Sequence, residues 1–358
     1  MPNINDYLKW RGEIPISKSF PFNEIDSMIL ARFSYLIFDK INMEEVETIY
    51  SISEKMKNFS NEEFRYNGDK ELIQNLGNSL RFRDMRVTDF IENNEKDNEK
   101  QFGAIVIHNS KNEIYISFIG TNRTIYGWKE DYNMSFMENV PCQIAGYQYL
   151  GEIANKYKNT KIRIGGHSKG GNIAIYSAIT TEEEIKKRII KVYNYDGQGF
   201  NNKFIKKHDK DAIMDKIQTY FPQESIIGRI MNHKEKTVVI FSTAKGILQH
   251  DIYSWQVLGT EPIYAYELTK TSEIISKTVT NWLENTTEEK RKVFFDSVFS
   301  IIYSTEANTF GDISREITKS IPILLKSYVH ISKEDKSTIT GMIRLFLKTY
   351  FTELMNNR

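Results

Sequence analysis

The chain has a single cysteine, Cys142, so no disulfide can close within it, which suits a reducing compartment. No apolar run approaches the length of a membrane-spanning helix. The N-terminus, Met1-Pro2-Asn3-Ile4-Asn5-Asp6, lacks a basic stretch leading into an apolar one. No secretory leader is therefore expected, and the expected location is the cytoplasm. Charge of one sign is also missing: 48 Lys+Arg face 47 Asp+Glu, a net charge of +1. The lysines are interspersed with acids rather than gathered in a stripe, so nothing calls for a nucleic-acid partner. Internal repeats and low-complexity linkers are absent as well.

What is present is an ordinary globular composition, 40% hydrophobic and 27% charged over 358 residues. That length allows one large domain, or a core with additions. From Asn23, apolar residues fall at Ile25, Met28, Ile29, Phe33, Leu36 and Ile37, a helical spacing that Asn23 can cap. The polar run Asn93–Lys100 reads as an exposed loop. Between about 100 and 260 the pattern changes. Gly103–His108, Glu113–Gly120, Lys161–Gly166, Ile189–Gly197 and Lys236–Ser242 read as strands, and Ala145–Tyr157, Asn172–Ile179 and Asp211–Phe221 as helices. Such alternation predicts an α/β fold with a mostly parallel sheet covered on both faces. Beyond residue 262 the pattern is helical, with Thr286 and Glu289 spaced as a capping box. Three regions are expected: a helical N-terminal extension packed on the core (1–100), the α/β core (101–261) and a helical C-terminal region (262–358).

The segment "IRIGGHSKGGNIAIYSA" (Ile162–Ala178) carries the chemistry. Gly166-His167-Ser168-Lys169-Gly170 fits G-x-S-x-G between a predicted strand and a predicted helix. In a nucleophile elbow the serine occupies a strained strand-to-helix turn, and flanking glycines relieve the crowding. The competing reading is a glycine-rich turn that grips a phosphate at a helix N-terminus. No Lys-Ser pair follows these glycines, which lead instead into Asn172.

The chain resembles the α/β-hydrolase superfamily, near the class 3 (fungal-type) lipases, and more closely the Mbeg1-like lipase-like family. The resemblance rests on "PFNEIDSMILARFSYLIFD" (Pro21–Asp39), "YISFIGTNRTIYGWKEDYNM" (Tyr115–Met134), "GGHSKGGNIAIYSA" (Gly165–Ala178), "VYNYDGQGF" (Val192–Phe200), "PQESIIGRI" (Pro222–Ile230) and "LQHDIYSW" (Leu248–Trp255), in that order. It implies an α/β-hydrolase fold and a triad whose members follow in the order serine, acid, histidine. Ser168 is then the nucleophile. Of the later histidines, His208 lies in a charged run, His233 in a polar turn and His330 in the helical tail. His250 follows the last core strand and matches the "QHD" position, so it is the expected base. Asp196, at a strand end, is the first choice of acid. Class 3 lipases carry theirs one strand later, where this chain has Glu224, the alternative. The oxyanion donors implied are the backbone amides of Lys169 and of Thr121, in "FIGTNR" (Phe118–Arg123). Trp128 and Asp131 match residues expected to fix that loop, and Cys142 reads as packed rather than reactive.

The expected function is a serine esterase or lipase-like hydrolase with no cofactor and no metal, acting on a small-molecule or lipid ester through an acyl-enzyme. The alternatives are a catalytically silent hydrolase-fold scaffold, or an acyltransferase using the same residues. Val293–Ile302 and Met342–Phe351 carry much apolar surface. They are expected to pack on the core or a second subunit; the sharper reading makes them a lid or lipid-contacting surface. Peripheral lipid contact and oligomeric state stay open.

Overall fold

The computed structural model describes residues 2–122, 124–208 and 211–356. Arg123, in the stretch expected to supply an oxyanion donor, lies outside the described residues, as do Met1, Asp209, Lys210, Asn357 and Arg358.

Eight strands form one sheet in sequence order: β1 (Val46–Thr48), β2 (Arg86–Glu95), β3 (Lys100–Ser110), β4 (Glu113–Phe118), β5 (Lys161–His167), β6 (Ile189–Tyr195), β7 (Ile217–Pro222) and β8 (Lys236–Ile240). Neighbours from β1 to β4 are antiparallel, and from β4 to β8 parallel. The helices are α1 (Ile4–Arg11), α2 (Glu24–Phe33), α3 (Ile49–Met56), α4 (Asp69–Asn78), α5 (Ile125–Asn133), α6 (Pro141–Lys156), α7 (Lys169–Thr180), α8 (Glu183–Arg188), α9 (Asn202–His208), α10 (Lys270–Glu284), α11 (Glu288–Tyr303), α12 (Phe310–Arg315), α13 (Ile317–His330) and α14 (Lys333–Asn356).

Parallel strands laid down in sequence order, with crossovers of one hand, put their connecting helices on one face. Accordingly α6 to α9 bury Leu150, Ile173, Ile185 and Phe204 in a single cluster with Ile116, Ile164 and Val192 of the sheet. The opposite face is left bare by that topology. Helices α1 to α4 cover it, through Tyr7, Ile29, Ile52 and Leu72 against Ile105, Ile107, Tyr115 and Tyr195. Both faces being dry explains why β3 and β4 read as near-continuous apolar runs. Within β4, Ile114, Ile116 and Phe118 point to one cluster and Tyr115 to the other, the period of two expected of a strand.

Helix α2 lies buried along its length, so its charges are paired. Asp26 takes both Nε (2.7 Å) and Nη2 (2.5 Å) of Arg81, and Arg32 reaches Asp69. Asn23 caps α2, as its sequence suggested, and Asp26 closes the box. A third cluster, built on Ile125, Trp282, Phe295, Phe299 and Met342, joins α5 to α10, α11 and α14. Among the described residues no helix is long and apolar enough to cross a membrane.

Four local expectations are corrected. Asp211–Phe221 is not a helix: a short 3₁₀ turn (Ala212–Lys216) leads into β7, which is buried between β6 and β8. Asn93–Lys100 is not all loop, because β2 runs to Glu95, paired with Lys100 of β3 across a tight turn. The cap of α11 is Thr287, accepting from Lys290 N; Thr286 instead donates its hydroxyl to Trp282 O. The segment 1–100 is not wholly helical, since β1 and β2 are sheet strands.

Candidate active site

Strand β5 ends at His167, and α7 begins at Lys169. Between them Ser168 has φ 56 and ψ −135, a backbone region that L-residues with side chains avoid. Backbone hydrogen bonds hold it there: Ser168 N donates to Tyr195 O (2.9 Å), and Ser168 O accepts from Gly171 N (2.9 Å) and Asn172 N (3.4 Å). The flanking glycines are required by close approach. A Cβ on Gly166 would sit 2.3 Å from the carbonyl carbon of Gly170, and one on Gly170 2.2 Å from Phe118 O. The turn thus presents the serine at the N-terminus of a buried helix, on the edge of a cavity.

One strand over, Asp196 follows β6 and is also left-handed, with φ 52. Its amide donates to Tyr220 O (2.9 Å) and its side chain is buried. Oδ2 accepts from His250 Nδ1 at 2.7 Å, and Oδ1 from Ser225 Oγ at 2.5 Å. Glu224, the alternative acid, does not meet the histidine. Its carboxylate accepts from Gly246 N and its amide donates to Gln249 Oε1 (2.8 Å), which shapes the loop that carries His250. That loop is tied further by Trp255 Nε1 donating to Gln249 O (2.7 Å).

His250 and Ser168 line the same cavity, although among the described residues no hydrogen bond joins the serine hydroxyl to the ring. Apo catalytic contacts are commonly long. Of the other histidines that follow Ser168, none lines that cavity. His208 is on α9, His330 on α13, and His233 is buried against Glu235 (2.6 Å). His167, which no motif singles out, does line it. Its Nε2–H donates to His250 O (2.8 Å), and burial, then the adjacent His250, pushes its pKa well below the ordinary histidine value. Its ring is therefore neutral.

The loop after β4 brings Thr121 to the serine's side of the cavity. Thr121 Oγ1 donates to Asp131 Oδ2 (2.5 Å), and Asn122 N to Gln101 Oε1 (3.1 Å). Gln101 Nε2 in turn donates to Gly120 O (3.2 Å). Lys169 is anchored by a buried ion pair with Glu130 (2.9 Å), whose other oxygen accepts from Cys142 N (2.8 Å). Burial alone would lower the Lys169 pKa, but Glu130 and Asp131 outweigh it and hold the ammonium above the usual lysine value. Burial lifts Asp131 to about 6, only partly opposed by Lys169 and Thr121. Cys142 is buried and its thiol pushed well up, first by burial and then by Glu130, so it stays protonated. Trp128 lines the cavity. Among the described residues no group of three or more His, Cys, Asp or Glu is placed to hold a metal ion.

A sheet with crossover helices on one face, a strained serine between strand and helix, and a histidine delivered after the last strand define an α/β-hydrolase fold of the lipase-like kind. The family model described as Mbeg1-like matches residues 76–300, most of the chain, and the protein belongs to that family. No curated protein matches it by sequence. Solved structures that it resembles include the lipase of Rhizomucor miehei in a propeptide complex, with 15% identity, 48% of this chain and 68% of that chain covered and a TM-score of 0.38. Another is the M37 lipase, at 18% identity, 57% and 69% coverage and a TM-score of 0.37. A third is a mutant form of MDLA from Penicillium cyclopium, at 12% identity, 70% and 87% coverage and a TM-score of 0.37.

Proposed function

We propose that the protein is a serine hydrolase that cleaves a carboxylic ester through an acyl-enzyme on Ser168. The observation that carries this reading is the 2.7 Å hydrogen bond between His250 Nδ1 and the buried Asp196 carboxylate, beside a strained Ser168 in the same cavity. A carboxylate accepts only, so Nδ1 holds the proton and Nε2 is left as the base. Ser168 Oγ attacks the carbonyl carbon as Nε2 takes its proton. The oxyanion accepts from the backbone amides of Thr121 and Lys169, neither of which has another acceptor among the described residues. Collapse breaks the ester C–O bond, and His250 returns the proton to the leaving alcohol. Water, activated by the same ring, then releases the acid.

A fluorophosphonate probe tests this without knowledge of the substrate. It is expected to label the wild type and to spare Ser168→Ala. Equal labelling of both, or none of the wild type, overturns the reading. Incubation of the wild-type enzyme with an ester and a competing alcohol separates hydrolysis from acyl transfer by product.

A further inference from the structure

We propose that helices α10, α11 and α14 form a hydrocarbon chamber that sets the acyl-chain length of the ester, with Val279 and Val298 as its length-determining residues. This rests on the serine-hydrolase reading above and adds the substrate's acyl class: a long hydrocarbon chain.

The cavity at Ser168 is large, about 1020 Å³, at the upper end of the range for small-molecule sites. Packed interiors hold few voids bigger than a water, so a space of this size between two packed clusters is not a packing remainder. Its two sides differ in chemistry. Polar groups that face it, Thr121, Asp131, Gln198 and Asp251 among them, come from the hydrolase core. Every residue that α10, α11 and α14 contribute is apolar. The one polar atom among those side chains, Trp282 Nε1–H, is already donated to Met342 O at 2.9 Å. That wall has nothing with which to hydrogen-bond a head group, and burying a polar group there would leave it unsatisfied. It suits hydrocarbon, which gains roughly 25 cal/mol for each Å² taken out of water.

The rim agrees. Ile247 and Leu248, just before His250, are 52% and 69% exposed, and Ile343 and Leu347 of α14 are 47% and 48% exposed; all four also line the cavity. A chain entering between them meets apolar contacts before it reaches the serine.

Val279 on α10 and Val298 on α11 stand apart from their neighbours. Phe295, Phe299 and Trp282 line the cavity but are locked into the cluster that holds the C-terminal helices together. The two valines line the cavity and lie outside that cluster. A larger side chain at either point projects into the space and not into the core.

The test measures kcat/KM for p-nitrophenyl esters from acetate to palmitate. The wild type is expected to favour the long chains. Val298→Trp and Val279→Trp are each expected to lower the palmitate-to-acetate ratio of kcat/KM by about tenfold or more, with Ser168 still labelled by fluorophosphonate. A profile that keeps its shape in both variants overturns the chamber, as does a wild type that prefers acetate. A variant that melts early is replaced by Val298→Phe or Val279→Phe, judged by the same ratio. If wild-type labelling at Ser168 holds and the profile does not shift, the chamber fails and the hydrolase reading stands; if labelling fails, the reading itself falls.

Discussion

The rings of His167 and His250 face one another with centroids 4.5 Å apart, and His167 Nε2 donates to the backbone carbonyl of His250 at 2.8 Å. The residue before the proposed nucleophile thus holds the loop that carries the proposed base. Because burial keeps His167 neutral, its ring donates without adding a charge beside His250. His167→Ala is expected to lower esterase kcat by about 10- to 100-fold through misplacement of His250, with fluorophosphonate labelling slowed in parallel. His167→Gln, which keeps a donor, is expected to recover part of the loss. No recovery in the glutamine variant, or no loss in the alanine variant, would show that the contact does not position the base.

Asp196 and Glu224 are separated by the same logic. Asp196→Asn is expected to cost about 10⁴ in turnover, because an amide no longer favours the Nδ1–H tautomer of His250. Glu224→Gln is expected to act mildly, since Glu224 touches the loop backbone at Gly246 and not the ring. Ser225→Ala removes one donor from Asp196 and is expected to cost about 1 kcal/mol, near fivefold, in kcat/KM. A ranking with Glu224→Gln as the most damaged variant would move the acid one strand later.

Most of the sheet was legible because β3 to β6 are buried on both faces and carry dense β-branched runs. Strand β7 was not. Ile213, Ile217, Tyr220 and Phe221 fall at helix-compatible intervals, and only pairing with β6 and β8, which a local window does not see, makes Ile217–Pro222 a strand. The polar end of β2 was hidden for a related reason: its residues are held by cross-strand pairing with β3 and not by burial of an apolar face. Within the site, Ser168, Asp196 and His250 sit in short stretches with their own signatures. Gln101 lies outside any such stretch, and Glu130, His167 and Ser225 fall within them at positions to which the motif assigns no role. Each acts on a residue that its own local sequence gives no reason to expect, as Glu130 does on Lys169, so no motif marks it.

Asp131 makes the protein's stability depend on pH, with a defined sign. Its pKa is about 6 in the fold against an ordinary 3.8, so the folded state holds the proton more tightly than the unfolded chain. The resulting stabilisation is full below about 3.8 and is lost as pH rises through about 6. Relative to Asp131→Asn, the wild type is expected to lose about 2 kcal/mol of unfolding free energy across that window. Urea unfolding of both proteins near the two ends measures it. A flat difference, or one that grows with pH, would show that the fold does not raise the Asp131 pKa.

The C-terminal region meets α5, the helix after the proposed oxyanion loop, which favours a packed region over a detachable lid. Ile125 N donates to Asn308 O (2.9 Å), Lys129 pairs with Asp296 (3.0 Å), and Tyr132 stacks on Phe295 at 4.7 Å. All three contacts fall on α5, which closely follows Thr121 and contains Asp131. Removing everything after residue 260 would expose Ile125, uncover the stacked face of Tyr132 and free α5 from its support. The shortened chain is expected to aggregate or to melt well below the full chain, and any soluble fraction to cleave p-nitrophenyl acetate more slowly, because Thr121 N–H is no longer held toward the oxyanion. The narrower variant Asp296→Asn breaks the Lys129 pair and the surface pair with Lys292 (2.6 Å); it is expected to stay folded, with a small fall in melting temperature and little change in rate, since Lys129 keeps Glu99 as a partner at 2.5 Å. A truncated protein that folds and cleaves the short ester at the full-length rate would make α10 to α14 a lid after all.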